Sequence, residues 1–458
     1  MAKRKKTSKK RSPKGLLVTR PRVAGIDIGS TEHWVCGPAS DDGEPNVRVF
    51  RSTTPQLEKL ADWLKEQGVE SVAMESTSVY WIPLYELLES CGIEVVLVNA
   101  RHLRNVPGRK TDMADCQWLQ LLHSCGLLRG SFRPGEAICR LRALQRQMAN
   151  LVAQRSRYVQ WMQKALDQMN VQVHRAVSDM TGQTGMAIVR AIVDGERDPT
   201  KLAALRDHRC KKSAEEIAEH LTGTWREEHL FNLESSLRLY DALESTIATY
   251  QQRLLEEFEH IQPPERREQP VPAHPSRAKE KYMIRHGEQE LRTALWRLSG
   301  VDLTRVDGIG TGAAQTVLNE VGFDVSAFPD ENHFVSWLRL SPRTPISGGK
   351  PLKKRRNGLG ANRVAATLRM AAVSLQRSKT ALGALYRRKA RQKGAAVAVF
   401  VTARRLAVLI FRMLRYGHDY VDEGEKAYER RFELRRLAGL TDAAKALGYT
   451  LVKEPASG

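Results

Sequence analysis

The run Val23-Ala24-Gly25-Ile26-Asp27-Ile28-Gly29-Ser30 is apolar but for one carboxylate and closes on a glycine turn. Its first six residues predict a β-strand ending near Asp27. Outward from it, strand and helix signals alternate. Residues 34–37 continue a hairpin and residues 47–50 make another short strand. Residues 54–67 carry Leu57, Leu60 and Leu64 at helical spacing and stop at Gly68. Strands at 69–74 and 93–98 and helices at 79–90 and 112–125 follow. This order predicts an α/β domain over residues 22–135, with strands mostly near its centre.

The carboxylates fall in a pattern. Asp27 ends the first strand, Glu75 ends a later one in Ala73-Met74-Glu75-Ser76, and Asp112 and Asp115 lie three apart at a helix start. Strand ends facing one helix would gather all four. Such a group suits two Mg²⁺ ions about 4 Å apart, which need several hard oxygen ligands and stabilise the attacking and leaving oxygens at a phosphate. Arg101, Arg104, Arg109 and Lys110 precede the aspartate pair, with no acid between Glu94 and Asp112. That loop could hold DNA phosphates beside the metals. Taken singly, each residue has a plainer role: Asp112 as a helix cap with Asp115 in its first turn, Asp27 as a turn residue. Residues 25–31 also resemble the first phosphate loop of the actin and sugar-kinase ATPases. The second Gly-rich Asp loop and the adenosine motif of those proteins are missing here.

The charge is unevenly placed. The chain of 458 residues carries 73 Lys and Arg against 52 Asp and Glu, a net +21. The first 14 residues hold eight basic groups and no acid, and residues 332–418 hold 20 Lys and Arg and no acid, leaving 45 basic against 52 acidic residues elsewhere. A mildly acidic body thus carries a basic tail and a basic module. The module has apolar helical patterning (Val364, Leu368, Ala371, Ala372, Leu375), and a folded one-signed basic surface is the footprint of a polyanion binder. Hydrophobic residues at 41% exclude a wholly disordered chain. No apolar run reaches the roughly 18 residues of a membrane span; the nearest, 395–411, is split by Arg404 and Arg405. The basic N-terminus lacks the apolar core of a secretory signal. The six cysteines form no CxxC pair and read as reduced thiols. A cytoplasmic protein is expected.

From residue 141 the pattern changes. Leu141, Leu144, Met148, Leu151, Arg155, Tyr158, Met162, Ala165 and Met169 follow spacings of three and four, and Leu233, Tyr240, Ile247, Leu254 and Ile261 repeat every seven. Two such arms around an insert of about 60 residues predict an antiparallel coiled coil, within or between subunits, or an ordinary helical bundle. The predicted organisation is a basic tail (1–21), the α/β domain (22–135), the coiled-coil region with its insert (136–262), a linker (263–299), a mostly helical basic domain (300–418) and a C-terminal appendage (419–458).

Within the basic domain, Val306-Asp307-Gly308-Ile309-Gly310-Thr311-Gly312 precedes an amphipathic helix and resembles a helix-hairpin-helix turn, where glycine lets backbone N–H groups approach a phosphate. A plain glycine-rich helix entry has the same residues. Further on, Leu340-Ser341-Pro342-Arg343-Thr344-Pro345-Ile346-Ser347-Gly348-Gly349-Lys350 leads through Lys353, Lys354, Arg355 and Arg356 to Asn362 and Arg363. Ser347 lies amid cations that could activate it toward phosphorus; it could equally be a turn serine.

The order Asp27, Glu75, Asp112 and Asp115, then heptad arms, then the Gly-Ile-Gly helix, then Pro-x-x-Ser-Gly and a basic Asn-x-x-Arg run resembles the DEDD transposases of insertion-sequence family 110, the bridge-RNA-guided serine recombinases. Ser76-Thr77-Ser78-Val79-Tyr80-Trp81 and Arg109-Lys110-Thr111-Asp112-Met113-Ala114-Asp115 carry the likeness most closely, over roughly residues 22–420. The resemblance implies a RuvC-like, ribonuclease-H-fold N-terminal domain binding Mg²⁺ through those four carboxylates. It implies a C-terminal transposase domain whose serine, by motif Ser347, forms a 5′-phosphoserine link to DNA. It further implies a tetramer joined through coiled coils, with the serine of one subunit completing the carboxylates of another, and a structured noncoding RNA that pairs with donor and target DNA. The lysine-rich tail, the insert, the Pro-rich linker and residues 419–458 depart from the shorter members. Two alternatives remain: a two-metal nuclease or junction resolvase using water, and a non-catalytic nucleic-acid scaffold.

Overall fold

The computed structural model describes residues 17–39, 45–76, 78–99, 112–261, 270–341, 346–347, 350–351, 362–417, 419 and 423–452; at 112, 346–347 and 350–351 it describes the backbone alone. The chain divides into two compact units, residues 1–133 and 134–458.

The first unit is a mixed five-stranded sheet with helices on both faces. Strands β1 (Val23–Ile28), β2 (Glu32–Cys36), β3 (Val47–Arg51), β4 (Ser71–Glu75) and β5 (Glu94–Val98) lie in the order β3-β2-β1-β4-β5. β1 pairs antiparallel with β2 and parallel with β4. Its side chains are buried on both faces, which is why this run is nearly all apolar and sits at the centre. On one face Ile26, Ile28, Val35, Val72 and Met74 pack against Leu57, Leu60 and Leu64 of helix α1 (Thr54–Glu66) and Leu84 and Leu88 of α2 (Trp81–Ser90). Each fully buried side chain of this kind contributes about 1.5–3 kcal/mol. The opposite face is covered by α3 (Asp112–Ser124), whose Leu119 packs on Ala73 and Val98. This architecture is consistent with a ribonuclease-H-like α/β domain. Two histidines are built into it. His33 on β2 is fully buried, and among the described residues no side chain partners its ring nitrogens. His123 on α3 lies 2.8 Å from the Ser71 hydroxyl.

In the second unit the two heptad arms are helices of 33 residues, α4 (Glu136–Gln168) and α9 (Glu227–Glu259). They run antiparallel, since Arg140 meets Glu257 at 3.2 Å and Arg155 meets Glu244 at 2.7 Å. Of the arm that repeats every seven, Leu233, Tyr240, Ile247 and Leu254 are buried. The insert between the arms folds as four short helices, α5 (Val173–Ala176), α6 (Gln183–Val193), α7 (Pro199–Ala204) and α8 (Ala214–Leu221). Their Ile188, Ile192, Leu202 and Leu221 share a core with Met162, Leu166, Leu233 and Leu237 of the long helices.

The stretch expected as a linker is helical over α10 (Arg277–Arg285) and α11 (Gln289–Ser299). Arg292 of α11 is 1% exposed and pairs with Asp302 at 2.6 Å, while its Nη2 also donates to the Pro272 carbonyl. A buried ion pair of this kind binds the segment to the domain that follows. That domain comprises α12 (Thr311–Val321), α13 (Glu331–Trp337), the two-residue strands β6 (Ile346–Ser347) and β7 (Lys350–Pro351), α14 (Arg363–Ser374), α15 (Ala381–Lys393) and α16 (Ala395–Tyr416). Val317, Leu318, Phe334, Leu368, Leu406 and Phe411 are buried in it. It is joined to α4 by polar bonds: Gln145 accepts from Asn319 at 3.1 Å, and Glu320 takes both Arg146 donors at 2.8 and 2.7 Å. A last helix, α17 (Gly424–Ala446), follows. Among the described residues no helix is long and apolar enough to cross a membrane.

Candidate active site and nucleic-acid surface

The parallel pairing of β1 and β4 runs through Ile26 opposite Met74. One step further, Asp27 and Glu75 stand side by side at the carboxyl ends of adjacent strands. Strand alternation decides their face. Ile26 and Met74 belong to the α1–α2 core, so Asp27 and Glu75 turn to the α3 side, together with Gly25 and Ala73. Both carboxylates are half-buried.

Gly25 lets α3 lie close. A β-carbon there would stand 2.3 Å from the Gln120 backbone nitrogen and 2.4 Å from the Cys116 carbonyl oxygen. The helix therefore rests directly on the β1 backbone. Asp115, half-buried, immediately precedes Cys116 on that helix, and the α3 backbone starts at Asp112, whose side chain lies outside the described residues. Asp27 is near enough to help raise the Cys116 thiol, which burial chiefly pushes up to about 12 with Cys36 adding to it. Cys36 itself is pushed up by burial to about 11. Both thiols stay protonated at neutral pH, so neither serves as a thiolate nucleophile. Among the described residues no three His, Cys, Asp or Glu gather tightly enough to hold a metal ion. The donor set is nevertheless all carboxylate, the chemistry that a hard divalent cation takes.

Trp34 was not singled out in the sequence. It lies opposite Asp27 in the β1–β2 register, hence on the same face, and its indole N–H donates to Glu32 at 3.2 Å. The hairpin register, which the sequence leaves open, would have revealed it.

In the second unit Gly308 has φ +84°, and a β-carbon there would stand 2.8 Å from the Ala371 carbonyl oxygen. Only glycine suits that turn. Gly310 caps α12 with open space at its Cα. Ser347 sits on β6, with its backbone opposite Lys350 on β7. Arg363 opens α14 and lies 3.8 Å from Glu320. Arg101, Arg104, Arg109, Lys110, Arg343, Lys353, Lys354, Arg355 and Arg356, and the side chains of Ser347 and Lys350, lie outside the described residues. Glu320 was also missed: it is a buried acid bound by Arg142, Arg146 and Arg363.

Comparison with known proteins bears on both units. No curated protein matches the chain significantly. A transposase model of the IS110 DEDD group matches residues 24–171, from β1 through α4. A second, described as "Transposase IS116/IS110/IS902 family", matches residues 300–387, from the Gly-Ile-Gly turn into α15. Two models of one family, in the order their motifs stand here, take in both the carboxylate sheet and the serine-bearing module: the chain belongs to the IS110 family of insertion-sequence transposases.

Proposed function

We propose that this transposase is an RNA-guided DNA recombinase that cuts and rejoins DNA through a phosphoserine. The observation that carries the reading is the placement of Asp27 and Glu75 on neighbouring strand ends, facing the helix that bears Asp112 and Asp115. Mg²⁺, when bound by these four carboxylates, would supply charge neutralisation and polarise the phosphate oxygens. The residues of the chain do the rest. β1 and β4 hold Asp27 and Glu75 at fixed separation, and Gly25 sets the depth at which α3 presents its aspartates. Arg101, Arg104, Arg109 and Lys110 would take the DNA backbone beside them.

Ser347 would be the nucleophile. Its Oγ forms a bond to phosphorus and the bond from phosphorus to the 3′ oxygen breaks. The leaving 3′ oxygen takes up a proton from solvent and the serine proton passes to solvent, so the exchange is balanced. Attack by a different 3′-hydroxyl reverses the step and frees the serine, so phosphodiester energy is conserved and no ATP is consumed. Gly308, Gly310, Arg343, Lys350, Lys353, Lys354, Arg355, Arg356 and Arg363 would grip donor and target DNA and a structured guide RNA; the acid-free charge of this module supports that role. Copies of the chain would associate through α4 and α9, as dimer or tetramer, to complete the site. The assignment is tested by Asp27→Asn and Asp112→Ala. Strand cleavage should be abolished while DNA affinity stays within a few-fold, because affinity resides in Lys and Arg contacts. An Asp112→Ala protein that recombines at the normal rate overturns the site.

A further inference from the structure

Helix α17 buries none of its residues. Leu434, Leu437 and Leu440 are 60%, 53% and 49% exposed, so hydrophobic burial does not account for where the helix lies. Its attachment runs through two arginines of α15. Arg387 donates to Glu425 at 2.5 Å. Arg388 donates to the Tyr428 hydroxyl, and its guanidinium carbon lies 3.7 Å from the Phe432 ring centroid and 4.8 Å from that of Tyr428. Yet among the described residues Nε and Nη1 of Arg388 are enclosed there with no acceptor. A guanidinium presents five donors in a planar fork, and enclosed donors without an acceptor are a cost that an anionic oxygen removes.

The same two arginines are well placed for such an anion. They begin the run Arg387, Arg388, Lys389, Arg391 and Lys393, inside the stretch that holds no acid. Arg387 is oriented independently of α17, because Nη1 also donates to the carbonyls of Gln376 at 3.1 Å and Ser378 at 2.6 Å. We propose that Arg387 and Arg388 form a phosphate-binding site for a nucleic-acid backbone, and that α17 is a latch across it. Glu425 occupies the place of a phosphate oxygen on Arg387, while Phe432 and Tyr428 cover Arg388. The latch is weak by construction: a partly exposed ion pair and one cation–π sandwich are readily exchanged for bidentate arginine–phosphate bonds. This inference rests on the reading of the basic module as a polyanion binder.

The test uses the full chain and a charge-neutral change, Tyr428→Ala with Phe432→Ala. Affinity is measured against salt, in parallel, for a random-sequence DNA duplex and an RNA duplex of equal length. Opening the latch should tighten binding and steepen the salt dependence by one to two phosphates at about 0.9 each, an extra threefold to twelvefold loss of affinity between 50 and 200 mM salt. Adding Arg387→Gln and Arg388→Gln should erase the gain. Whichever duplex gains identifies the backbone that the site takes. Unchanged affinity and slope for both duplexes would overturn the latch while leaving the basic module as a binder. A wild-type chain with no salt-dependent binding to either would overturn the underlying reading and this proposal with it.

Discussion

Replacing Gly25 by alanine would put a methyl group 2.3 Å from the Gln120 nitrogen and 2.4 Å from the Cys116 oxygen, where ordinary contact begins at 3.4 Å. Those atoms are four residues apart on α3, one step of the helical ladder, so neither can swing away as a side-chain tip would. Relieving the clash requires α3 to retreat by about 1 Å from β1. Overpacking of this kind costs about 1–3 kcal/mol. The larger effect should be on chemistry, because Asp115 immediately precedes Cys116 and moves with it, while Asp27 and Glu75 stay with the sheet. A displacement of about 1 Å between catalytic groups can cost on the order of 100-fold in rate. The assay is single-turnover cleavage of a target DNA, with circular dichroism melts and DNA affinity measured on the same preparation. The expected result is a folded, slightly less stable protein that binds DNA normally and cuts it about 100-fold more slowly. Cleavage within threefold of wild type, at unchanged melting temperature, would refute the idea that the β1–α3 approach sets the site.

Three further outcomes follow from named contacts. Burial holds His33 and His123 below their ordinary value of 6.5, with a hydrogen bond to the Glu32 backbone opposing at His33, and at His123 the positive charge of Arg20 adding and the negative charge of Glu94 opposing. The unfolded chain therefore takes up protons first as pH falls: the stability that these neutral rings contribute is present above pH 6.5 and declines below it. The melting temperature of the first unit should be flat from about pH 7 to 8.5 and fall toward pH 5.5, and a flat profile down to 5.5 would contradict this. Arg292→Met leaves the 3%-exposed Asp302 carboxylate without its partner and should cost about 3–5 kcal/mol, read as the shift in urea midpoint; a shift below 1 kcal/mol would be the contrary result. Gly308→Ala, at φ +84° and 2.8 Å from Ala371, should weaken DNA binding by displacing the turn ahead of α12, whereas Gly310→Ala, which meets open space at its Cα, should leave the fold intact. Equal melting temperatures for the two variants would contradict the packing argument.

The strands of the first unit were legible because each is short and bounded by turn residues, and their observed limits differ from the expected ones by two residues or fewer at each end. What alternation within one strand cannot supply is partnership. Trp34 joins the face of Asp27 only through the β1–β2 register, which depends on the turn at residues 29–31. Gly25 resembles any strand glycine until α3 is seen lying on it. The burial of His33 likewise follows only from register, which sets it opposite the core residue Phe50 while Glu32 and Trp34 take the other face. Pro263, Pro264, Pro270, Pro272 and Pro275 signal loop in the expected linker. The helices just beyond are held by Arg292 and His274, polar residues whose burial is set by long-range partners, Asp302 and the Thr304 carbonyl. The insert hid its helices because each is short and buries its few apolar residues against α4 and α9 rather than within itself.

The central claim is that Ser347 links covalently to DNA in a site completed by the four carboxylates. It is tested most directly by incubating the protein with a candidate flanking RNA, Mg²⁺ and a nicked target DNA, denaturing, and mapping any DNA-linked peptide by mass spectrometry. The account predicts an adduct on Ser347 that disappears in Ser347→Ala and in Asp27→Asn. Cleaved ends with no protein attached would contradict it and assign the cut to water.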